Sequence, residues 1–299
     1  MKKLQRKMAW KYKMSMPNPA NPDENVKEIM KQLLGIAGLL LVPAFLQAQV
    51  FMRSFENAAS LAMGGVNVAY PGPGIGLSNE ALPGMGSKAG IYLGSAIPYS
   101  IPGWQTAQFQ GFMKLGNEDG MGLDIHHSGV ELYQEQQIRL MYGRRLGERL
   151  FVGGSAAWMR VSAQEYGSAN GATFGIGILA RVLPSLWLGA RIHNPFQQKV
   201  GDYTAASLMR LGAAWQASGI FTMLAEVEKS IDRKAQVKAG VEYRPGDVLV
   251  LRAGVRTGSV ARMGFGLGVR LKNGLALDAG SEWHPSLGIT PAAMLVWRK

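Results

Sequence analysis

Charged, polar or glycine residues alternate with apolar ones along much of this chain. Arg262, Gly264, Gly266, Gly268 and Arg270 alternate with Met263, Phe265, Leu267, Val269 and Leu271. The same parity puts Glu135, Arg139, Arg191, Arg210, Glu226, Glu228 and Lys238 on one face of their segments, and with them Glu242, Arg252, Arg256, Arg262, Arg270, Asp278 and Glu282. Asp124 and Arg160 share that parity. Mixed signs at this density suit an ion-pair lattice, in which opposite charges offset the cost of leaving water, more than the selectivity lining of an open pore. Other chemistry is thinly represented. His126 and His127 are adjacent on a predicted strand, point to opposite faces and cannot chelate one ion together. Asp124, His126 and Ser128 share a face, as a catalytic triad would. Same-face neighbours nevertheless stand about 6.6 Å apart along a strand, and no oxyanion stabiliser accompanies them. Cysteine is absent, which excludes thiol catalysis and Cys-ligated metals. No catalytic residue, metal or cofactor is expected.

The elements that must position these charges are strands. Strict alternation is the mark of a half-buried β-strand, and it runs from about residue 88 to residue 298. Val237, Ala239, Val241 and Tyr243 face one way; Gln236, Lys238, Gly240, Glu242 and Arg244 face the other. So many apolar faces must meet something continuous, either an opposite sheet or lipid. The N-terminus decides between them. Met30-Lys31, the apolar run 33–42 and the small residue Ala48 read as the n-region, h-region and cleavage site of a secretory signal, too short to span a membrane. The expected organisation is a mis-called, disordered upstream extension over 1–29 with Met30 the true start, a signal peptide over 30–48, an N-terminal plug segment over 49–87 and an outer-membrane β-barrel over 88–299.

A closed barrel satisfies every backbone group in lipid. The expected fold is therefore all-β, a transmembrane antiparallel β-barrel of about fourteen strands with an N-terminal lumen plug. Turn signals support it. Short Gly/Pro/Asn-rich connections near 145–148, 183–185, 217–219, 244–247 and 272–274 alternate with longer ones near 162–170, 194–203, 230–234 and 284–290. Short turns on one side and longer loops on the other are the habit of membrane barrels. Trp158, Trp187, Trp215, Trp283 and Trp297 sit near strand ends or on inward faces, and some of them fit interfacial girdles. The last of these lies close to the C-terminus, where barrel proteins present a strand to the assembly machinery.

The formal charge of +12 does not indicate nucleic acid. Residues 1–48 hold eight of the Lys and Arg and three of the Asp and Glu, leaving 24 positive and 17 negative residues, net +7. These are spread through the strands rather than gathered in a stripe with interleaved aromatics. The expected partners are outer-membrane lipid and lipopolysaccharide, the barrel-assembly machinery and secretion-system proteins, with no nucleic acid.

The stretch 49–87 does not alternate and is rich in Gly, Ala, Pro and Asn. A phosphate-cradling loop would need a strand before it, a helix after it and a Lys-Ser/Thr pair, which are missing. A plug in the lumen fits better, with inward Gly264, Gly266 and Gly268 letting its backbone approach. Phe51, Phe55, Leu61, Met63, Val66 and Leu77 either line an apolar pocket there or pack the plug.

Ser60-Leu61-Ala62-Met63-Gly64-Gly65-Val66-Asn67-Val68-Ala69 resembles the small-residue segment that opens FadL-like outer-membrane proteins, the long-chain fatty acid transporter superfamily. It is most similar to the Bacteroidetes branch that includes the PorV and PorQ proteins of type IX secretion. Asn79 and Ala81 match the family's following Trp-Asn-Pro-Ala-Gly-Leu motif, whose other four positions differ here. Leu188-Gly189-Ala190-Arg191-Ile192-His193-Asn194, Leu251-Arg252-Ala253-Gly254-Val255-Arg256-Thr257-Gly258 and Gly266-Leu267-Gly268-Val269-Arg270-Leu271 are further matches. The resemblance implies a fourteen-stranded barrel with an N-terminal plug, and ligand or plug contacts at Met63, Gly64, Gly65, Asn67 and Asn79.

Two functions follow from it. The first is a structural or secretion-associated, non-catalytic barrel of PorV/PorQ type, with a charge-packed lumen and no tunnel. The second is a passive transporter of a small hydrophobic compound, with an apolar tunnel and a kinked or open strand near the plug. Crowded lumen charges and short loops favour the first. Either function places the mature protein in the outer membrane of a Gram-negative bacterium.

Overall fold

The computed structural model describes residues 51, 57–72, 74–85, 88–231 and 233–299. The chain divides into two units, Met1–Gln47 and Ala48–Lys299, and the first lies outside the described residues together with the expected upstream extension and signal peptide. Of the expected plug span, residues 49, 50, 52–56, 73, 86 and 87 also lie outside them.

Alternation builds the strands where it was expected. In chain order they are β1 (Ala89–Ala96), β2 (Gln105–Lys114), β3 (Asp119–Val130), β4 (Tyr133–Leu146), β5 (Leu150–Ala163), β6 (Gly167–Leu183) and β7 (Leu186–His193). A small hairpin of β8 (Lys199–Val200) and β9 (Tyr203–Thr204) follows. Then come β10 (Leu208–Gln216), β11 (Phe221–Ser230), β12 (Gln236–Tyr243), β13 (Leu249–Arg256), β14 (Arg262–Arg270), β15 (Leu275–His284) and β16 (Gly288–Arg298). Leaving out the β8–β9 hairpin, fourteen strands pair in sequence and close through β1 and β16 into one antiparallel barrel. The closing register aligns Leu93 with Leu295.

The pleat sorts side chains as the period of two demands. On β14, Phe265 and Leu267 point outward, 52% and 48% exposed, while Gly264 and Gly268 point inward and are buried. Lys238 and Glu242 are buried on β12, while Val237 and Tyr243 are exposed. Trp158, Trp215 and Trp283 stand on the exposed surface; Trp187 is buried against Phe151, ring centroids 6.0 Å apart.

The connections 115–118, 147–149, 184–185, 217–220, 244–248 and 271–274 all fall at one end of the barrel, where Lys88 N donates to Lys299 O at 2.7 Å. The other end carries 97–104 and 194–207, the two longest connections. Two expected long loops are shorter than anticipated. The spans 162–170 and 284–290 contract to 164–166 and 285–287, because β5–β6 and β15–β16 stay paired up to turns closed by Gly167 (φ 78°) and Gly288 (φ 86°). Positive φ costs glycine nothing, which permits these tight reversals.

Inside the barrel runs the segment 57–85. Its one-turn helix α1 (Ala58–Ala62) starts at Asn57, whose side chain accepts from Ser60 N at 2.9 Å, and ends at Gly64 and Gly65, both with positive φ. Residues 57–70 are buried throughout. Wall glycines admit this backbone. A Cβ on Gly153 would overlap Glu80 O, and one on Gly264 would overlap Leu61 O. Gly266 meets the Ala62 side chain. Gly268 departs from the expectation: it makes room for the side chains of Asp278 and Arg252 rather than for backbone.

Candidate functional site: a charge-tied lumen segment and two chambers

Ion pairs between neighbouring strands, and in two cases between β13 and β15 across β14, form the wall of the site, and the inner segment plugs into them. Arg139 of β4 lies 2.7 Å from Asp124 of β3, which also accepts from Gln108 and Gln110 at 2.9 and 3.1 Å. Arg210 of β10 meets Glu228 at 2.6 Å, and Lys238 of β12 lies 3.1 and 3.0 Å from Glu226 and Glu228 of β11. Arg252 bridges Glu242 at 2.8 Å and Asp278 at 2.6 Å; Arg270 adds a second contact to Asp278 at 3.0 Å. Glu282 takes Arg262 at 3.1 Å and also Arg256. The register explains these meetings, since Arg139 is directly opposite Asp124, Glu226 opposite Lys238 and Glu242 opposite Arg252.

One residue assigned to the lattice does something else. Glu135 accepts from Phe51 N at 3.1 Å and from the Tyr133 hydroxyl at 2.8 Å rather than from a cation. It sits near the long-loop end of β4, where Gln136 and Gln134 flank it and no basic residue is opposite.

The inner segment completes the unspent valences. Backbone N–H groups of Asn67 and Val68 both donate to Glu226 at 2.9 Å, Lys238 donates to Gly65 O at 3.2 Å, and Arg210 donates to Asn67 Oδ1 at 3.1 Å. Asn79 Nδ2 donates to Val68 O within the segment and, across to the wall, to Ile178 O and Ala190 O at 3.2 Å. Met63 and Gly64 lie where Gly240, Gly254 and Val255 leave space. The structure thus places Met63, Gly64, Gly65, Asn67 and Asn79 against the barrel wall.

Sequence reasoning missed Glu80. Its carboxylate is fully buried, lies 3.0 Å from Arg191 and 3.5 Å from Arg139, and accepts from Ser155 at 3.2 Å. It carries no strand alternation, but it is the only charged residue between Asn57 and Met85, a signal available in the sequence. Tyr70 was also missed. Its hydroxyl donates to Glu242 at 2.6 Å beside Arg244, and burial raises its pKa well above the tyrosine range, so the hydroxyl stays protonated.

Two spaces adjoin this assembly. A vestibule of about 670 Å³ opens at the long-loop end. Its wall mixes Leu61, Pro98, Tyr99, Trp104, Val130 and Leu208 with the charges of Arg256, Arg262 and Glu282. A second chamber of about 60 Å³ lies between the inner segment and β2, β3, β4, β7 and β10, lined by Phe51 and Leu77 and by many polar groups. Of the residues expected to line an apolar pocket, Leu61 faces the vestibule, Phe51 and Leu77 face the second chamber, and Met63 and Val66 pack in the core; Phe55 lies outside the described residues. Ser128 is 2.8 Å from Thr106 Oγ1, so both it and Asp124 hold partners outside the Asp124–His126–Ser128 row.

No known family profile matches the sequence, and no curated protein matches it. Solved structures do. The Pseudomonas putida toluene transporter TodX superposes with a TM-score of 0.62 at 12% identity over 83% of this chain and 98% of that one. A TodX monoaromatic hydrocarbon channel carrying a deletion reaches 0.64 at 13% identity, over 81% and 98%. A Pseudomonas aeruginosa FadL homologue gives 0.58 at 11%, over 82% and 97%. The fold is that of FadL-type outer-membrane barrels. These similarities support the expectation at the level of the FadL-type fold and lend no support to the expected PorV/PorQ branch, its Bacteroidetes origin or a link to type IX secretion.

Proposed function

We propose that the protein is a passive channel in the outer membrane of a Gram-negative bacterium, admitting small molecules with apolar surface. The observation that carries this reading is the vestibule, which has the volume of a small-molecule site and places aromatic and aliphatic side chains among its charges, with Leu61 of the inner segment in its lining. TodX, to which the fold is similar, is a toluene transporter and monoaromatic hydrocarbon channel, which supports the same class of cargo for this protein. In this mechanism the compound leaves water for the apolar side of the vestibule and the segment 57–85 acts as the plug. Passage requires that plug to shift within the lumen.

The wall itself stays closed. Every barrel strand is paired with both neighbours among the described residues, and the one register shift falls at Arg181/Leu183, at the end of β6 beside the short turn to β7. The expected kinked or open strand and the expected apolar tunnel are not present among the described residues; ion pairs along the wall and to Glu80 of the inner segment line the lumen instead. The route therefore runs past the plug rather than through a gap in the wall.

The test is uptake of labelled toluene at low concentration by intact cells with and without the protein. Faster uptake with the protein supports the channel. Equal rates, with the protein shown to be folded in the outer membrane by heat-dependent gel mobility, refute it.

A further inference from the structure

The second chamber differs in character from the vestibule. His126, Leu208 and Arg210 belong to the linings of both, so the chamber is the next space inward from the vestibule. Its volume of about 60 Å³ accommodates about four to six water-sized groups, at 10–15 Å³ each. Beyond that shared partition, the polar part of its lining is mostly amides and other uncharged groups, from Asn57, Ser78, Gln108, Gln110, Gln137 and His193, set beside Phe51, Ile75 and Leu77 and the paired charges of Asp124, Arg139 and Arg191.

The charges around it are already matched. Arg139 faces Asp124 and Glu80, Arg191 faces Glu80, and Arg210 faces Glu228 and Glu226. An incoming ion of either sign would find no unpaired opposite charge and would lose its water. A pure hydrocarbon would strip water from the amides and return nothing. Two buried atoms of the lining residues, Arg139 Nε and His193 Nδ1, have no hydrogen-bond partner among the described residues. Arg139 is itself only 5% exposed.

We infer that this chamber is a recognition subsite for an uncharged hydrogen-bonding group, so that the compound moving through the barrel carries an amide, alcohol or phenol function on an apolar body. The inference rests on the channel reading and specifies its cargo. The apolar body stays in the vestibule against Leu61, Trp104 and Leu208 while the polar group crosses the partition. Gln137 and His193 reach the chamber without lining the vestibule, which makes them the positions that separate the two spaces.

The experiment is calorimetric titration of the full chain in detergent micelles, corrected with empty micelles, using three probes of similar size: benzamide, benzoate and toluene. Benzamide is expected to bind most tightly. Gln137→Leu and His193→Leu, each first shown by gel mobility to form the barrel, should lower the benzamide-to-toluene affinity ratio about five- to tenfold, the effect of one lost hydrogen bond. Benzoate binding best overturns the inference, as does a ratio unchanged in both variants. Equal binding of toluene and benzamide, with toluene uptake by cells intact, overturns the subsite alone. Failure of all three probes to bind, together with no protein-dependent toluene uptake, overturns the channel reading beneath it.

Discussion

Replacing Glu80 by Gln removes one charge from the inner segment while keeping its shape, and the structure says where the loss will be felt. Two arginines share the carboxylate, unequally. Arg139 keeps Asp124 at 2.7 Å when its 3.5 Å contact to Glu80 weakens. Arg191 has Glu80 at 3.0 Å and otherwise the Ser78 carbonyl at 3.1 Å, so it is left as an uncompensated buried cation. Breaking a buried pair from one side costs about 3–5 kcal/mol, and the amide retains a hydrogen bond, which points to the lower end. About 3 kcal/mol corresponds to roughly a hundredfold shift toward states in which the segment has left its seat. The fourteen-strand ladder makes no use of Glu80, so the barrel should be spared. Hydrogen exchange followed by mass spectrometry on the protein in micelles separates the two effects. Amides of residues 67–85 should exchange about a hundredfold faster, with those of β4–β7 unchanged. Unchanged protection of 67–85 would refute the latch. Equal loosening of segment and strands would show that Glu80 holds the barrel as well as the plug, and would refute a latch confined to the segment.

Gly153→Ala should lower the gel-mobility melting temperature by seating a methyl group on Glu80 O, a cost of about 1–3 kcal/mol, while the outward Gly154→Ala, with its nearest neighbour 3.8 Å away, should leave it unchanged. Lys238→Met removes the buried cation that Glu226 and Glu228 share and should cost about 3–5 kcal/mol; adding Glu228→Gln should recover part of it in the same assay. Leu267→Arg on the outer face should destabilise the barrel by about 2–4 kcal/mol in a bilayer, and an undiminished melting temperature in lipid would count against membrane burial of that face. Tyr70 is held protonated when folded but ionises near its ordinary value of 10 when unfolded. Its contribution is therefore complete below pH 10 and declines above it, and Tyr70→Phe should flatten that alkaline fall in stability.

The two-residue period determined most of the fold by itself. Each strand must bury one face and expose the other, and a shift of one residue would reverse every side chain, so the parity of Lys238, Glu242, Arg252 and Asp278 left their inward direction settled before any contact was known. Glycines at 264 and 266 likewise announced a close approach. Tertiary structure alone decided which charges meet. Arg252 on β13 takes partners 10 and 26 residues away, Glu242 on the adjacent β12 and Asp278 on β15, reached across the glycines of β14. It also decided that Glu135 would bond to Phe51 N and Tyr133, that Gly268 would shelter an ion pair, and that Glu80 would sit between Arg139 and Arg191. None of these follows from local pattern, because Glu80 lies on irregular backbone with no period to fix its direction. The chambers were illegible for the same reason. A cavity is the space left between the inner segment and a closed wall, and it exists only once the sheet has closed around that segment.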